Sequence, residues 1–243
     1  VADDLNKGNT MHIKIDTTKL LNLLGENGEH WVQGKWGDDT AMCLHGAIRR
    51  CQPQRGDAYL IEQVARLQGW GTNWNDNNNT DWAQVRRLIV SGLEVTDADL
   101  ADTFGPQWEQ IVALVRRAAV LTTDELKRLS AARATAQDDA QDDAQDASQY
   151  IARRAARYNA WYTAWAAACG AAQDHAQYDA QYDDWYDGWY NAQDAVRAAA
   201  RGLVIRDLIG QRGFTQQHYD LLTQPWSKVI GPVHPDDKQA DRG

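Results

Sequence analysis

Apolar residues in the first ninety positions recur three and four apart, the period of an amphipathic α-helix. A first helix is predicted over residues 16–30, capped by Asp16 or Thr17, with Leu20, Leu21, Leu23 and Leu24 as its apolar face and Gly25 and Gly28 as its end. A second is predicted over 40–51, with Met42, Leu44, Ala47 and Ile48 inward, broken by Gln52-Pro53-Gln54-Arg55-Gly56. Leu60, Ile61, Val64 and Leu67 set a third over 58–68. After a loop at 69–79 rich in Gly, Asn and Trp, Thr80 or Asp81 caps a fourth, carrying Trp82, Val85, Leu88 and Ile89. Four short amphipathic helices make a small bundle. Residues 91–105 read as a linker. Pro106 then marks a helix start, with Trp108, Ile111, Val112 and Val115 on one face. Thr122 and Glu125 form a capping-box pattern ahead of Leu126 and Leu129.

From Ala136 the pattern changes to blocks of four. The first position runs Ala136, Ala140, Ala144, Ser148, Ala152, Ala156, Ala160, Ala164, Ala168, Ala172, Ala176, Ala180, Asp184, Gly188, Ala192. Gln, Arg or Trp follows, and Asp or Tyr often takes the third position, a frame that holds for about fourteen units. Four residues turn a helix by about 400°, so each position drifts about 40° per block. A straight helix therefore keeps no fixed Ala seam over its whole length, and the pattern must pack successive faces or be cut into shorter helices. The expected form is an antiparallel hairpin turning near Cys169-Gly170, which brings Trp161 and Trp165 near Trp185 and Trp189. Beyond Gly202, Leu203 to Ile209 form an apolar helix end stopped by Gly210 and Gly213. Thr215 caps a short helix to Leu222, and Pro225-Trp226 begins another turn. The predicted fold is all-α, with a helical bundle over 16–92, an Ala-rich repeat domain over 106–231 and a loose tail over 232–243.

Composition narrows the functional classes. The formal net charge is −9, which argues against a nucleic-acid backbone or an anionic membrane surface as the main partner. Cys43, Cys51 and Cys169 are odd in number and widely spaced, unlike a disulfide framework or a CxxC zinc site. No apolar run reaches the length of a membrane span, and Val1 to Thr10 lacks a signal-peptide core. The expectations are a cytoplasmic location in a bacterial cell, no cofactor, no metal and no membrane partner. Arg far outnumbers Lys and Ala is abundant, a high-GC coding bias that points to an actinobacterium or one of its phages.

Each candidate site has a structural reading beside its functional one. Cys43 and His45 stand two apart on a predicted helix, so they face different ways; Cys43 reads first as a small core residue. Trp74-Asn75-Asp76, with Asn77 to Asn79, can bind a ligand or a cation through its side-chain oxygens, with Trp74 and Asp76 near the pocket, or serve as a turn and cap. Asp138, Asp139, Asp142, Asp143 and Asp146 form a dense acidic face, which can mimic DNA phosphates or simply be solvated. The segment 136–200 holds eleven Asp against four Arg. Trp161, Trp165, Tyr182, Trp185, Tyr186, Trp189 and Tyr190 can be a recognition surface or fill the space between Ala-rich helices.

Trp31-Val32-Gln33-Gly34, Cys43-Leu44-His45-Gly46-Ala47-Ile48 and Trp74-Asn75-Asp76 together resemble a family of small actinobacterial and actinophage proteins, over residues 16–92. The Ala-rich tetrads, followed by Phe214-Thr215, Tyr219-Asp220, Pro225-Trp226 and His234-Pro235-Asp236-Asp237, resemble C-terminal regions of phage proteins from the same hosts. The resemblance implies that origin and a helical fold, and no activity.

The leading expectation is a non-enzymatic factor, phage-encoded, that binds a host or phage protein in host takeover or counter-defence. One alternative is an enzyme or small-ligand binder centred on Cys43, His45, Trp74 and Asp76. The other is a virion component that self-assembles as a homo-oligomer through the repeat.

Overall fold

Asp16 opens the helical part of the chain by accepting a hydrogen bond from the Lys19 backbone at 2.9 Å, which caps α1 (Thr17–Leu24). The computed structural model describes residues 13–33, 41–52, 54, 56–77, 79–135, 138–179 and 186–237, with backbone alone at 138–139, 173–179 and 186–189. The molecule is mostly α-helical, as the apolar periodicity predicts. Then come α2 (Leu44–Cys51), α3 (Asp57–Gln68), the single turn α4 (Thr72–Asn75) and α5 (Trp82–Val90). Met42, Leu44, Ala47, Ile48, Leu60, Ile61 and Val64 are buried as expected. Leu67 is not: residues 66–69 all face solvent where α3 ends on Gly69 in the left-handed conformation.

Residues 91–105 are not a linker. β1 (Ile13–Lys14) pairs antiparallel with β2 (Glu94–Val95), setting Ile13 opposite Val95. Thr96 and Asp99 then form a capping box that starts α6 (Asp97–Phe104), whose Leu100 and Phe104 are fully buried. Two-residue strands are too short to show alternation, and Asp replaces the usual Glu or Gln of the box. α7 (Trp108–Ala118) follows, and α8 (Thr123–Ala134) starts on the predicted Thr122–Glu125 box.

Among the described residues the repeat forms three α-helices: α9 (Asp138–Arg154), α10 (Tyr158–Asp179) and α11 (Tyr186–Val204). The break comes at Ala156, not at Cys169-Gly170, which lie inside α10. Ala156 has φ +57°, and Arg157 N donates to Ala152 O at 2.7 Å, the 6→1 bond of a Schellman ending with Ala in the usual glycine place. Gly170 stays helical because α10 needs it for contact: a Cβ there would lie 2.4 Å from the Tyr59 ring on α3. Cutting the repeat solves its drift. Ala144, Ser148 and Ala152 on α9, Ala160, Ala164, Ala168 and Ala172 on α10, and Ala192 on α11 are all buried, while Ala156 at the break is exposed. Within each helix the stripe rotates only part of a turn, so it stays against its neighbours. Side-chain contacts pair Arg197 with Cys169 and Arg201 with Trp161, so α10 and α11 run antiparallel. Residues 180–185, where these helices connect, lie outside the described residues.

α11 gives way to a short 3-10 turn (Arg206–Leu208). α12 (Gln216–Val229) starts on a Thr215–His218 box and runs through Pro225, so the extra turn expected there is part of one longer helix. Residues 232–237 are docked, not loose: Val233 is buried, and Asp237 accepts from Tyr219 Oη at 2.8 Å and from His234 N at 3.1 Å. α10 packs on α3, α6, α7 and α11, and α11 packs on α8 and α12. Buried apolar residues from Ile13 to Val233 thereby join in one continuous cluster.

Candidate functional site

α9 is built to show one face. Gln141, Ala144, Ser148, Ile151 and Ala152 are buried, and Gln141 Nε2 donates to Leu221 O on α12 at 3.2 Å, tying the inner face down. Asp142, Asp143 and Asp146 are exposed on the outer face. Asp142, Asp146, Tyr150 and Arg154 succeed one another at i, i+4 spacing and form a single row. Tyr150 in that row is 51% exposed, and the Arg154 guanidinium sits 5.5 Å from its ring. Arg153 and Arg154 stand in the last turn of α9, where the helix dipole favours cations, and leave the acidic positions to the rest of the helix. Asp138 and Asp139 lie in the first turn of α9, their side chains outside the described residues.

The aromatic positions divide. Trp161 is buried, so it is not an outward-facing recognition residue; Arg201 covers its ring, with the guanidinium carbon 4.1 Å from the ring centre. Trp165 is half-buried against Arg197 and Arg201. Tyr162 and Tyr190 are 45% and 40% exposed. Tyr186 and Trp189 lie on α11 with side chains outside the described residues, as do Tyr182 and Trp185 altogether. Among the described residues the exposed aromatic rings of the repeat are tyrosines, whose hydroxyl tolerates water where an indole face does not.

The N-terminal candidates form a different kind of site. Cys43 is the N-cap of α2, its sulfur accepting from Gly46 N at 3.4 Å, and burial pushes its thiol up, away from the thiolate a nucleophile needs. His45 points elsewhere, stacking on Trp70 and meeting Glu62 with Nδ1 2.5 Å from the carboxylate. Glu62 also accepts from Arg66 Nε at 2.8 Å, from Thr72 N at 3.1 Å and from the Thr72 hydroxyl. Burial raises the Glu62 pKa, but the His45 contact, with help from Thr72 and Arg66, outweighs it and holds the carboxyl at about 2. Asn75 is fully buried; its Oδ1 accepts from Trp31 Nε1 at 3.1 Å and Leu44 N at 3.3 Å, and its Nδ2 donates to Asp76 at 2.7 Å. Asn75 thereby staples the Trp31, Cys43 and Trp74 segments together. Trp74 borders an open depression of 380 Å³ with Gln84, Arg87, Leu88 and Ser91, and neither Cys43 nor His45 lines it. Glu62 is not singled out in the sequence, where it reads as a polar position in an amphipathic helix; Asn75 stands there in the Trp74-Asn75-Asp76 motif, and the structure commits its oxygen to Trp31 and Leu44.

A third polar feature is a cleft of 570 Å³ between α12 and the docked tail, lined by Arg206, Tyr219, Asp220, Lys228, Asp236 and Asp237 among others. Its central groups are tied to each other. Arg206 Nε lies 3.4 Å from Asp237, and burial together with the Asp237 hydrogen bond pushes the Tyr219 hydroxyl far above its usual range. Among the described residues no cluster of His, Cys, Asp and Glu has metal-holding geometry, and no helix is long and apolar enough to cross a membrane. No protein-family model, curated protein or solved structure matches the chain.

Proposed function

We propose that the chain is a non-enzymatic binding protein whose repeat helices dock, through the acidic outer face of α9, onto a basic surface of a partner protein. The row Asp142–Asp146–Tyr150 carries the reading: two exposed carboxylates and an exposed ring on a helix whose opposite side is locked into the core. The two carboxylates of the row stand about 6 Å apart along the helix axis, and with Asp143 beside them they give a patch of negative charge that steers toward a cationic groove of the kind that otherwise takes DNA phosphates. The neighbouring tyrosine adds an amphipathic anchor of the type that dominates binding energy. Placed in a phage, such a surface serves host takeover or counter-defence by occupying a host protein. The twelve-nucleotide repeat unit supports this role, since units can be exchanged without leaving the helical frame. The N-terminal bundle is less suited to chemistry, because Cys43 and His45 are sealed in structural contacts.

The test compares capture from a bacterial lysate by the native chain and by the variant D142N/D143N/D146N/Y150A. Because all four positions are exposed, the variant's stability should stay within about 0.5 kcal/mol per site. Proteins retained by the native chain at low salt should be lost by the variant and released from the native chain as ionic strength rises past about 0.3 M. An unchanged set of retained proteins would remove α9 as the contact surface.

A further inference from the structure

Four buried N–H donors between α9, α10 and α11 have no acceptor among the described residues: Trp161 Nε1, Gln193 Nε2, Arg197 Nε and Arg201 Nε. The side chains that carry them are linked by contact. Arg201 stacks on Trp161, Trp165 touches both Arg197 and Arg201, and Arg197 Nη2 donates to Gln193 Oε1 at 3.0 Å. Trp161 and Gln193 are 4% and 1% exposed, so neither donor is served by bulk solvent. Among the described residues the two guanidinium groups face one carboxylate, Asp194, whose half-exposed side chain pairs with Arg197 at 2.8 Å, and Arg197 Nη2 also donates to Cys169 Sγ at 3.1 Å. Arg201 has Gln145 Oε1 at 3.3 Å and the indole faces, all neutral. Burial and the nearby charge of Arg197 press the Arg201 pKa down to about 10.

All four unpaired groups are donors, so they cannot satisfy one another. A buried cation without a counter-charge is costly, and neutral contacts recover only part of that cost. What fits the set is a group that only accepts, carries negative charge and has more than one oxygen, since a guanidinium presents parallel donors. We propose that this layer is a binding site for a small oxyanion, a phosphate or carboxylate head group, held by Arg197 and Arg201 with Trp161 Nε1 and Gln193 Nε2 as neutral donors. Entry is from the side of Arg197 and Trp165, which keep contact with solvent. The site is separate from the acidic face of α9 and stands whether or not that face binds a protein.

The experiment follows the Trp161 indole N–H resonance of the full chain, identified by its absence in W161F, during titration with sodium phosphate, and separately with sodium acetate, against sodium chloride at matched ionic strength. Phosphate stabilises most proteins by exclusion from their surfaces, so a melting temperature would not discriminate. The expected result is a saturating shift with phosphate or acetate that chloride does not produce, the tighter of the two identifying the head group. Arg201→Met should weaken the apparent affinity at least about tenfold, the usual scale of a lost charge-assisted contact. Asp194→Asn, at a half-exposed position, should strengthen it about threefold by removing the competing carboxylate. Shifts that do not saturate or that chloride reproduces overturn the proposal, as does an Arg201→Met protein that titrates like the native chain. Should Arg201→Met fail to fold, the Asp194→Asn titration decides: unchanged or weaker affinity overturns the site.

Discussion

Glu62 shows how a single side chain can organise a segment. It sits on α3 between Ile61 and Gln63, is 5% exposed, and gathers His45, Arg66 and Thr72 around one carboxylate. Its pKa moves from an ordinary 4.5 to about 2 because the His45 contact and the hydrogen bonds outweigh burial. A depressed carboxyl pKa stabilises the fold at pH values above 4.5, and that contribution fades as pH falls from 4.5 toward 2. Glu62→Gln should therefore lower stability by about 3 kcal/mol at neutral pH, the scale for breaking a buried pair. Urea unfolding over a pH series should show the gap to the native chain narrowing between pH 4.5 and 2; a gap that is flat with pH would mean that Glu62 acts by shape and not by charge. Asn75 works in the same neighbourhood through bonds to the Trp31 indole, the Leu44 amide and the Asp76 carboxylate, which tie three segments into one arrangement.

At the scale of elements, contact between helices overrides local propensity. Gly170 is the poorest helix former of its stretch, yet α10 runs straight through it, because only glycine lets the backbone approach the Tyr59 ring of α3. Substitution by Ala gains about 1 kcal/mol in helix propensity and costs roughly 1–3 kcal/mol in overpacking against a buried ring. Gly170→Ala should be net destabilising by about 1–2 kcal/mol in chemical denaturation, and combining it with Tyr59→Leu should recover part of that loss. Additive losses in the double variant would show that the two residues do not press on each other. The break at Ala156 follows the same logic from the other side. Ala costs about 1 kcal/mol in the left-handed conformation, and the chain accepts it there because ending α9 lets the Ala stripe begin again, inward, on α10.

At the scale of the whole molecule, the repeat is an internal wall as well as a surface. α10 packs on α3, α6 and α7 from the first half and on α11 from the second, and the buried cluster runs without a gap from Ile13 to Val233. Unfolding in urea should then be one cooperative event, with tryptophan fluorescence and far-ultraviolet circular dichroism tracing coincident curves. Two resolved transitions would show that the segments 16–92 and 106–231 hold together independently. Among the described residues Asp142, Asp143 and Asp146 put negative charge on the outward side of this wall, while the Arg197 and Arg201 guanidinium groups lie within it.

By itself the sequence determined what is local. Helical class follows from apolar spacing over three and four residues, and the caps at Thr122 and Thr215, and those at Asp16 and Asp81 to within one neighbouring residue, follow from side chains that reach only a few residues along the chain. The acidic outer face of α9 was legible for the same reason, since the buried Ala and Ser positions fix where the Asp positions must point. Tertiary structure decided everything that depends on a partner far away in sequence. It placed Trp161 inside under Arg201, turned the supposed linker into β2 and α6, moved the helix break from Gly170 to Ala156, and docked residues 232–237 through Tyr219. The physical reason is one of range: capping and periodicity are settled within a turn or two of helix, whereas burial is settled by which surface arrives opposite, and a four-residue repeat presents every face equally until something does.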